Sequence, residues 1–381
     1  MTMTSSNAFL RALEHSESVE KQTRLLNEML RSLSVKDDEE EEDEEEEDRA
    51  LFLDVRAREK YQKHSLTRSV NIPFDELSGS FHLLPPRERA FSILLEDASS
   101  SSSSSSSSQS LFDKQREMFQ RGDFKGVQWN IKYAFMYNEH FMNAVDAKIL
   151  EMQKDSSRRN ARLGTVLALN KERTEEEKKL NRRLWEPSPS VKGLYREFLS
   201  NANVDNSVVL DLGSGVGRDS VYLASKGFDV LACDFDQKAL KRTQEMAKLY
   251  SVEDKVNVLK WDARDSDAFA RALSSINDVS RLKLVLGVRF CHKPLFAQIV
   301  KNLPKESDCF FAWFHFAKGC EHSKVGRPNK EKDLIAPKEE LRSIFNEDEG
   351  FEILKDDVSF LSDGRPSANF IARRKIENAR T

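Results

Sequence analysis

Apolar runs alternate with helix-like patterns over the second half of the chain. The runs are five to nine residues long and rich in β-branched and aromatic residues, which predicts these strands: VVLDL (208–212), DVLACD (229–234), KVNVLK (255–260), LKLVLGV (282–288), DCFFAWFHF (308–316), FEILKDD (351–357) and ANFIARR (368–374). Segments with helical spacing separate most of them: 218–226, 237–250, 267–275, 294–301 and 337–345. Such alternation predicts an α/β fold with a mostly parallel sheet covered on both faces.

The last two predicted strands are joined by a short connection that has no room for a helix. A parallel crossover needs a dozen or more residues, whereas an antiparallel pair needs only a turn. The pattern therefore predicts a seven-stranded sheet in which the last strand is reversed.

The first half of the chain has a different organisation. The length of the whole chain and the changes in composition along it predict four segments: a disordered leader at 1–49, a smaller α/β domain at 50–150, a charged linker helix at 151–183 and the strand-rich domain at 184–381. The leader contains one amphipathic helical pattern at 19–33. Ten consecutive serines at Ser99–Ser108 predict a flexible loop inside the smaller domain.

Charge is concentrated in one run of twelve consecutive acidic residues, Asp37–Asp48. Removing this run from the formal net charge of −4 leaves +8 for the rest of the chain. Like charges repel one another, so the run is expected to be extended and solvated, and a partner-binding acidic tail is the less common alternative.

The sequence predicts neither a membrane span nor a secretory leader. No stretch of about 18 apolar residues occurs, and the first residues lack a basic head followed by an apolar core. The four cysteines form no Cys-x-x-Cys pair, so neither a disulfide framework nor a metal site is expected. We therefore expect a cytoplasmic protein.

A glycine-rich stretch, VVLDLGSGVGRDS, carries the first chemical signal. Gly213, Gly215 and Gly217 follow the first predicted strand and open a helix. A dinucleotide fingerprint would need a glycine at the position of Arg218. Asp211 also lies close to the loop, and a carboxylate is a poor neighbour for a pyrophosphate but a good one for a cation. S-adenosylmethionine carries both a sulfonium and an ammonium.

Acidic residues end the next two predicted strands. Asp234 closes the second strand, where a carboxylate accepts ribose hydroxyls. Asp262, in the stretch LKWDARD, follows the third strand and is placed to receive an adenine amino group, while Trp261 is placed to cover the ring face. Together with the glycine loop, these residues predict S-adenosylmethionine as the cofactor.

The stretch LDLGSGVGRDSVYLASKGFDVLACD resembles class I S-adenosylmethionine-dependent methyltransferases, which have a Rossmann-like sheet. Within that group it is similar to the tellurite-resistance type, whose loop usually reads G-C-G-x-G-R-[ND], with Ser214 here in the place of the cysteine. The resemblance covers about residues 184–375. It implies that Asp211 and Gly213 lie near the methionine part of the cofactor, Asp234 on the ribose and Asp262 on the adenine.

A second resemblance concerns the smaller domain. The stretch LFLDVRAREKYQKHSLTRSVNIPFDEL (51–77) resembles the start of a rhodanese-like domain. A sulfurtransferase of that type carries its persulfide on a cysteine in the loop after FSILLE (91–96). No cysteine occurs before Cys233, so the activity is not carried over. We expect a docking or scaffolding module instead.

The acceptor side is expected after the fourth strand, in the stretch GVRFCHKPLF (287–296). It lacks the Asn/Asp-Pro-Pro-Tyr/Phe signature of base amino-group methylation. Arg289 and His292 follow this strand and His315 lies at the end of the fifth, so we predict that these three residues form a cationic catalytic pocket for a small anionic or soft nucleophilic acceptor. The alternative for each residue is a solvated loop cation or a buried histidine.

Several functions stay open at this point. The first is an active methyltransferase with a small-molecule acceptor; the second is a cofactor-binding regulator or adaptor whose partner binds the rhodanese-like domain or the acidic run. A methyltransferase acting on RNA or protein is a further alternative, although the only nucleic-acid signal is the Lys/Arg content of the linker. A dehydrogenase is disfavoured by Arg218. The sequence does not identify the methyl acceptor.

Overall fold

The computed structural model contains two compact units, Met1–Glu186 and Pro187–Thr381. The second unit therefore begins three residues after the predicted start of the strand-rich domain at 184. The residues that the structure describes are these: 8, 11–12, 15–16, 18–34, 50–87, 89–96, 114, 117, 129–154, 167, 169–170, 182–201, 204–305, 307–320, 328, 330–361 and 363–375.

The first unit is an α/β unit. Its helices and strands among the described residues are these: α1 (Val19–Ser34), β1 (Phe52–Asp54), α2 (Arg58–Lys63), β2 (Ser65–Leu66), β3 (Ser69–Asn71), β4 (Phe91–Glu96), β5 (Ile131–Tyr137), α3 (Glu139–Gln153) and β6 (Leu169–Asn170). Over these residues, β3, β1, β4 and β5 form one parallel sheet in that order. Its four strands agree with the predicted smaller α/β domain, while its resemblance to a rhodanese stays a prediction.

Helix α1 departs from the predicted disordered leader. Leu25, Leu26, Met29 and Leu30 on one of its faces are buried, and they share an apolar cluster with Phe135 and other residues of the sheet. The 19–33 pattern thus forms a helix as predicted, and the helix is part of the folded unit because its apolar face covers the sheet.

Three predicted features lie wholly or largely outside the described residues. They are the acidic run, the serine tract and most of the 151–183 linker helix. Within the linker range, Leu169–Asn170 forms a short antiparallel pair with Ser65–Leu66. The described part of this range therefore includes a strand and is not a continuous helix.

The second unit alternates strands with helices, as predicted. Its described elements are α4 (Pro189–Leu194), β7 (Val208–Leu212), α5 (Arg218–Ser225), β8 (Asp229–Asp234), α6 (Gln237–Leu249), β9 (Val256–Lys260), α7 (Ala268–Ser274), β10 (Leu282–Val288), α8 (Pro294–Asn302), β11 (Phe310–Phe316), α9 (Glu340–Ile344), β12 (Phe351–Phe360) and β13 (Pro366–Arg374). The π-helical turn Tyr195–Leu199 continues α4.

The strand order in this unit, over the described residues, is β12-β13-β11-β10-β7-β8-β9. β13 is antiparallel to both of its neighbours, and the other six strands run in one direction. The predicted seven-stranded sheet with a reversed last strand is therefore confirmed. The chain leaves β7 towards β9 and then returns to β10 on its other side, which opens a crevice at the carboxyl ends of β7 and β10.

The central strands explain why this sheet is stable. Every residue of β7 and of β11 is buried, as expected for strands covered by helices on both faces. Phe311 and Trp313 of β11 stack with an interplanar angle of 13°, and Phe345 stacks on Phe311 with ring centroids 3.8 Å apart. This apolar centre holds the strand ends in fixed positions at the crevice.

None of the helices in the described part of the chain combines the length and the apolar character that crossing a bilayer requires.

Candidate functional site at the carboxyl edge of the sheet

The glycine loop between β7 and α5 needs its glycines for two physical reasons. Gly213 and Gly217 have φ values of 75° and 78°, where only glycine is unstrained. A Cβ atom on Gly213 would lie 2.4 Å from the ring of Phe290, and one on Gly217 would lie 2.4 Å from Thr243. Gly215 has a φ of 58° and nothing within 4 Å of the corresponding position. The loop is therefore packed tightly at both ends and open at its middle.

Four amide groups of this loop already have protein acceptors. The amides of Gly213 and Ser214 both donate to the carbonyl oxygen of Cys233, at 2.8 and 3.0 Å. The amide of Gly215 donates to Oδ2 of Asp234 at 2.8 Å, and that of Gly217 donates to the Ser214 carbonyl at 3.1 Å. A pyrophosphate loop offers such amides to the ligand. These four amides are directed at the protein instead.

Asp211 lies beneath the loop and not in a cavity. Its side chain is 3% exposed and accepts a hydrogen bond from the Ser220 hydroxyl at 2.5 Å. Burial raises the pKa of Asp211 to about 7, against the opposing effect of the Ser220 hydrogen bond. Asp211 therefore anchors helix α5 to strand β7.

A cavity of about 380 Å³, here called the first cavity, opens at the carboxyl ends of β7, β8, β9 and β10. Its lining is Gly213, Asp234, Phe235, Trp261, Asp262, Ala263, Arg264, Arg289, Phe290, Cys291 and His292. Four of the eight predicted cofactor residues are thus brought together: Gly213, Asp234, Trp261 and Asp262. The other four, Asp211, Gly215, Gly217 and Arg218, are not among the described lining residues. Arg218 begins α5, where burial lowers its pKa.

The carboxylates of Asp234 and Asp262 both line this cavity, but they differ in exposure and in hydrogen-bond partners. Asp234 is 8% exposed, and its two oxygens accept the amides of Gly215 and Asp236 at 2.8 and 2.9 Å. Asp262 is more exposed and binds the guanidinium of Arg264, with Nε 2.8 Å from Oδ1. The hydrogen bonds from Arg264 hold the pKa of Asp262 below its usual range. Asp262 is therefore an anionic acceptor near neutral pH.

Three aromatic residues, Phe235, Trp261 and Phe290, also belong to the wall of the first cavity. Trp261 is buried, its indole nitrogen donates to the Ala268 carbonyl at 2.7 Å, and its ring meets Phe290 with centroids 6.1 Å apart. Phe235 is 68% exposed although it directly follows Asp234. The sequence reasoning missed Phe235 and Phe290. An aromatic residue directly after a strand-end carboxylate is the signal that identifies Phe235.

The three predicted catalytic residues are not brought into one cavity. Arg289 and His292 line the first cavity, and Arg289 and His315 line another, here called the second cavity, of about 650 Å³. His315 is 4% exposed, and its Nε2 lies 2.8 Å from the carbonyl oxygen of Asp333. Burial lowers the pKa of His315, so its imidazole is neutral and adds no positive charge. Arg289, His292 and His315 therefore do not form the single cationic pocket that the sequence predicts. Arg289 alone of the three lines both cavities.

These features form a cavity at the switch point of an open α/β sheet, with two carboxylates and three aromatic residues, Phe235, Trp261 and Phe290, in its wall. Residues 194–304 match the family model of the tellurite resistance protein TehB. The uncharacterized protein UNK4.09 of Schizosaccharomyces pombe is 24% identical over 353 residues, which covers 84% of this chain and 93% of that protein. A match of this extent includes parts of both units.

Solved structures that are similar to this chain include methyltransferases. One from Aquifex aeolicus is 17% identical, with 49% of this chain and 89% of that chain covered and a TM-score of 0.35. Magnesium protoporphyrin IX methyltransferase from Synechocystis PCC 6803, with bound S-adenosylmethionine, is 18% identical (49% and 78% covered, TM-score 0.33). TehB from Haemophilus influenzae is also 18% identical (49% and 67% covered, TM-score 0.34).

Proposed function

We infer that the second unit binds S-adenosylmethionine in the first cavity and transfers its methyl group to a small acceptor. This inference rests on one combined observation: the loop amides are bound to protein acceptors, and carboxylates line the cavity next to the loop. The loop amides of residues 213, 214, 215 and 217 are bound to protein acceptors, which disfavours a pyrophosphate. Asp234 and Asp262 supply the anionic acceptors that an adenosine and a sulfonium favour.

The residues of the first cavity fit this cofactor. Asp234 would accept the ribose hydroxyls, because a carboxylate has lone pairs left after accepting two amides. Asp262 would accept the adenine amino group, and the exposed ring of Phe235 would offer a face for the base. The backbone of Gly213, which lines the same cavity, would lie near the methionine part.

The bound cofactor would supply a methyl group already activated by its sulfonium. The acceptor's lone pair would take this methyl group while the methyl–sulfur bonding pair would stay on sulfur, and any proton on the nucleophile would go to water. The protein therefore needs only to align the reactants and exclude solvent.

Two alternative functions are a methyltransferase that acts on RNA or protein and a regulator that binds the cofactor without turnover. Screening acceptors against the intact chain tests both.

Isothermal calorimetry on the full chain tests the cofactor. S-adenosylhomocysteine should bind and NAD should give no heat. Asp234→Asn should weaken binding by about 1–3 kcal/mol, because one charged acceptor of a buried polar contact is lost. Asp236→Asn is the matched control, since the Asp236 side chain caps α6 through Lys238 and does not line the first cavity. NAD binding without any S-adenosylhomocysteine signal would overturn the proposal.

We also propose that the first unit is a rhodanese-like docking module without sulfurtransferase activity, in a protein of the cytosol. Two observations support this: the parallel sheet β3-β1-β4-β5, and a sequence in which no cysteine precedes Cys233. A serine hydroxyl is too weakly acidic to carry a persulfide.

The first unit should therefore form no thiocyanate from thiosulfate and cyanide. The measurement is a colorimetric thiocyanate assay beside an active rhodanese, and turnover by residues 1–186 would contradict the prediction.

A further inference from the structure

The second cavity adjoins the first through residues that line both. Arg289 and Cys291, which follow strand β10, belong to the walls of both cavities. The remaining described lining of the second cavity comes from the end of β11 and from the segment after it: His315, Phe316, Pro328, Lys330, Lys332 and Asp333. A ligand in the second cavity would therefore lie next to one in the first, with only the Arg289–Cys291 segment between them.

Hydrogen bonds to β11 fix the shared wall. The amide of Arg289 donates to the Phe314 carbonyl at 2.7 Å, and the indole nitrogen of Trp313 donates to the Phe290 carbonyl at 2.9 Å. Arg289 has a φ of 53°, a value that costs energy for a residue with a side chain. These constraints fix the backbone at Arg289, from which its guanidinium reaches the boundary of the two cavities.

The opposite wall is also held to β11. Because a carbonyl oxygen only accepts, Nε2 of His315 carries the hydrogen in its bond to the Asp333 carbonyl. The amide of Ile335 donates to the Phe316 carbonyl at 3.1 Å. The segment that bears Lys330 and Lys332 is thereby tied to the strand end. Within the described residues, Nδ1 of His315 is buried without a hydrogen-bond partner.

The charges of the second cavity are unbalanced. Arg289, Lys330 and Lys332 contribute three cations, and Asp333 contributes one carboxylate. Within the described part of the chain, no carboxylate oxygen lies within 4.0 Å of these three cations. Two nearby lysines differ in this respect, because Lys318 pairs with Glu331 and Lys293 pairs with Glu340. Arg289 also interacts electrostatically with Asp219 and Asp363, and Lys332 lines a neighbouring cavity together with Glu331, Glu339 and Glu340. Because none of these carboxylates forms an ion pair with the three cations, the cations still attract an anion.

We propose that the second cavity is the acceptor subsite and that the acceptor is a small organic molecule bearing a carboxylate or phosphate group. Lys330 and Lys332 hold the anionic group, and Arg289 orients the acceptor so that its nucleophilic atom reaches the first cavity past Cys291. This assignment rests on the proposed methyltransferase function. It names three specificity-determining residues: Arg289, Lys330 and Lys332.

Cys291 provides an internal probe of this cavity. It is partly exposed, whereas Cys233, Cys309 and Cys320 are buried. Burial raises the pKa of Cys291 to about 11, so alkylation is slow, but the thiolate fraction cancels when two reagents are compared on the same thiol. Iodoacetate and iodoacetamide are matched in size and differ in charge. Their relative rates at Cys291 report the local potential.

The experiment uses the full chain saturated with S-adenosylhomocysteine, and peptide mass spectrometry measures alkylation of Cys291. The iodoacetate-to-iodoacetamide rate ratio should exceed that of free glutathione by about fivefold or more. The double variant Lys330→Gln, Lys332→Gln should lower the ratio at least about threefold. Lys301→Gln, an exposed lysine on α8 outside both cavities, is the matched control and should leave the ratio unchanged.

Two results would overturn the proposal. One is a ratio equal to that of glutathione or unaffected by the double variant, since the cavity would then have no preference for anions. The other is loss of Cys291 alkylation on saturation with S-adenosylhomocysteine, since the reagent would then reach Cys291 only through the first cavity. Calorimetry on the same samples separates these failures from failure of the proposed function, which would appear as absent S-adenosylhomocysteine binding.

Discussion

At the scale of single residues, Asp211 shows how a buried acid shapes the site without touching a ligand. Water is excluded from its carboxyl group, and the Ser220 hydroxyl is its hydrogen-bond partner. Desolvation disfavours the charged form, so the pKa rises to about 7 in the folded chain from an ordinary value of 3.8. The neutral acid lets β7 and α5 pack closely, and its ionisation places a charge in the core.

This shift predicts a stability that falls as pH rises. The unfolded chain ionises Asp211 near pH 4 and the folded chain near pH 7, so the stability present at low pH is lost as pH rises through this interval. Between about pH 5 and pH 8 the loss should be about 2–3 kcal/mol for the second unit. Asp211→Asn keeps an acceptor for Ser220 without a charge, so the variant should become more stable than the parent at the higher pH.

Thermal melting across this pH range, with the parent and Asp211→Asn side by side, checks the prediction. Asp236→Asn serves as the control because it removes an exposed carboxylate from the same unit. Parallel curves for the parent and Asp211→Asn would show that Asp211 does not titrate in this interval.

At the same scale, the sequence predicts the site residues whose positions follow from the strand pattern, and it misses those whose positions depend on contacts with the backbone of other elements. Asp234 and Asp262 end strands, and the carboxyl ends of parallel strands meet at one edge, so their positions follow from the alternation alone. The placement of His315 does not follow, because its partner is a backbone carbonyl at Asp333, which has no side-chain signature. Phe290 contacts Gly213 only because Trp313 of another strand holds its backbone.

At the scale of elements, the predicted bounds of the strands agree with the observed ones in part. Strands β7, β8 and β10 have the predicted limits, whereas β11 begins two residues later than predicted although every residue of it is buried. The helix predicted at 337–345 is shorter, Glu340–Ile344, and Lys338 before it has a φ of 60°. The amphipathic pattern at 19–33 predicts a helix correctly, but the polar segments around it concealed that its apolar face packs on a sheet. The spacing of apolar residues predicts that a helix forms, but the surface on which the helix packs depends on residues far away in the sequence.

At the scale of the whole molecule, each unit has an apolar core of its own. One large cluster of buried residues covers one face of the seven-stranded sheet, and all of its members belong to the second unit. Two other clusters lie within the first unit, and α1 contributes to one of them. All described residues that line the first cavity lie between 213 and 292, inside the second unit. The described residues of the large cluster and of the first cavity therefore all belong to the second unit.

The fragment 187–381 should consequently fold alone and bind S-adenosylhomocysteine. Its affinity should lie within about threefold of that of the full chain, because independent cores and a site inside one unit make no energetic demand on the other. Circular dichroism melting checks that the fragment unfolds cooperatively, and calorimetry measures its binding beside the full chain. The fragment 1–186 is the control and should give no heat with this ligand. A fragment 187–381 that folds cooperatively yet fails to bind, while the full chain binds, would mean that residues before Pro187 complete the site.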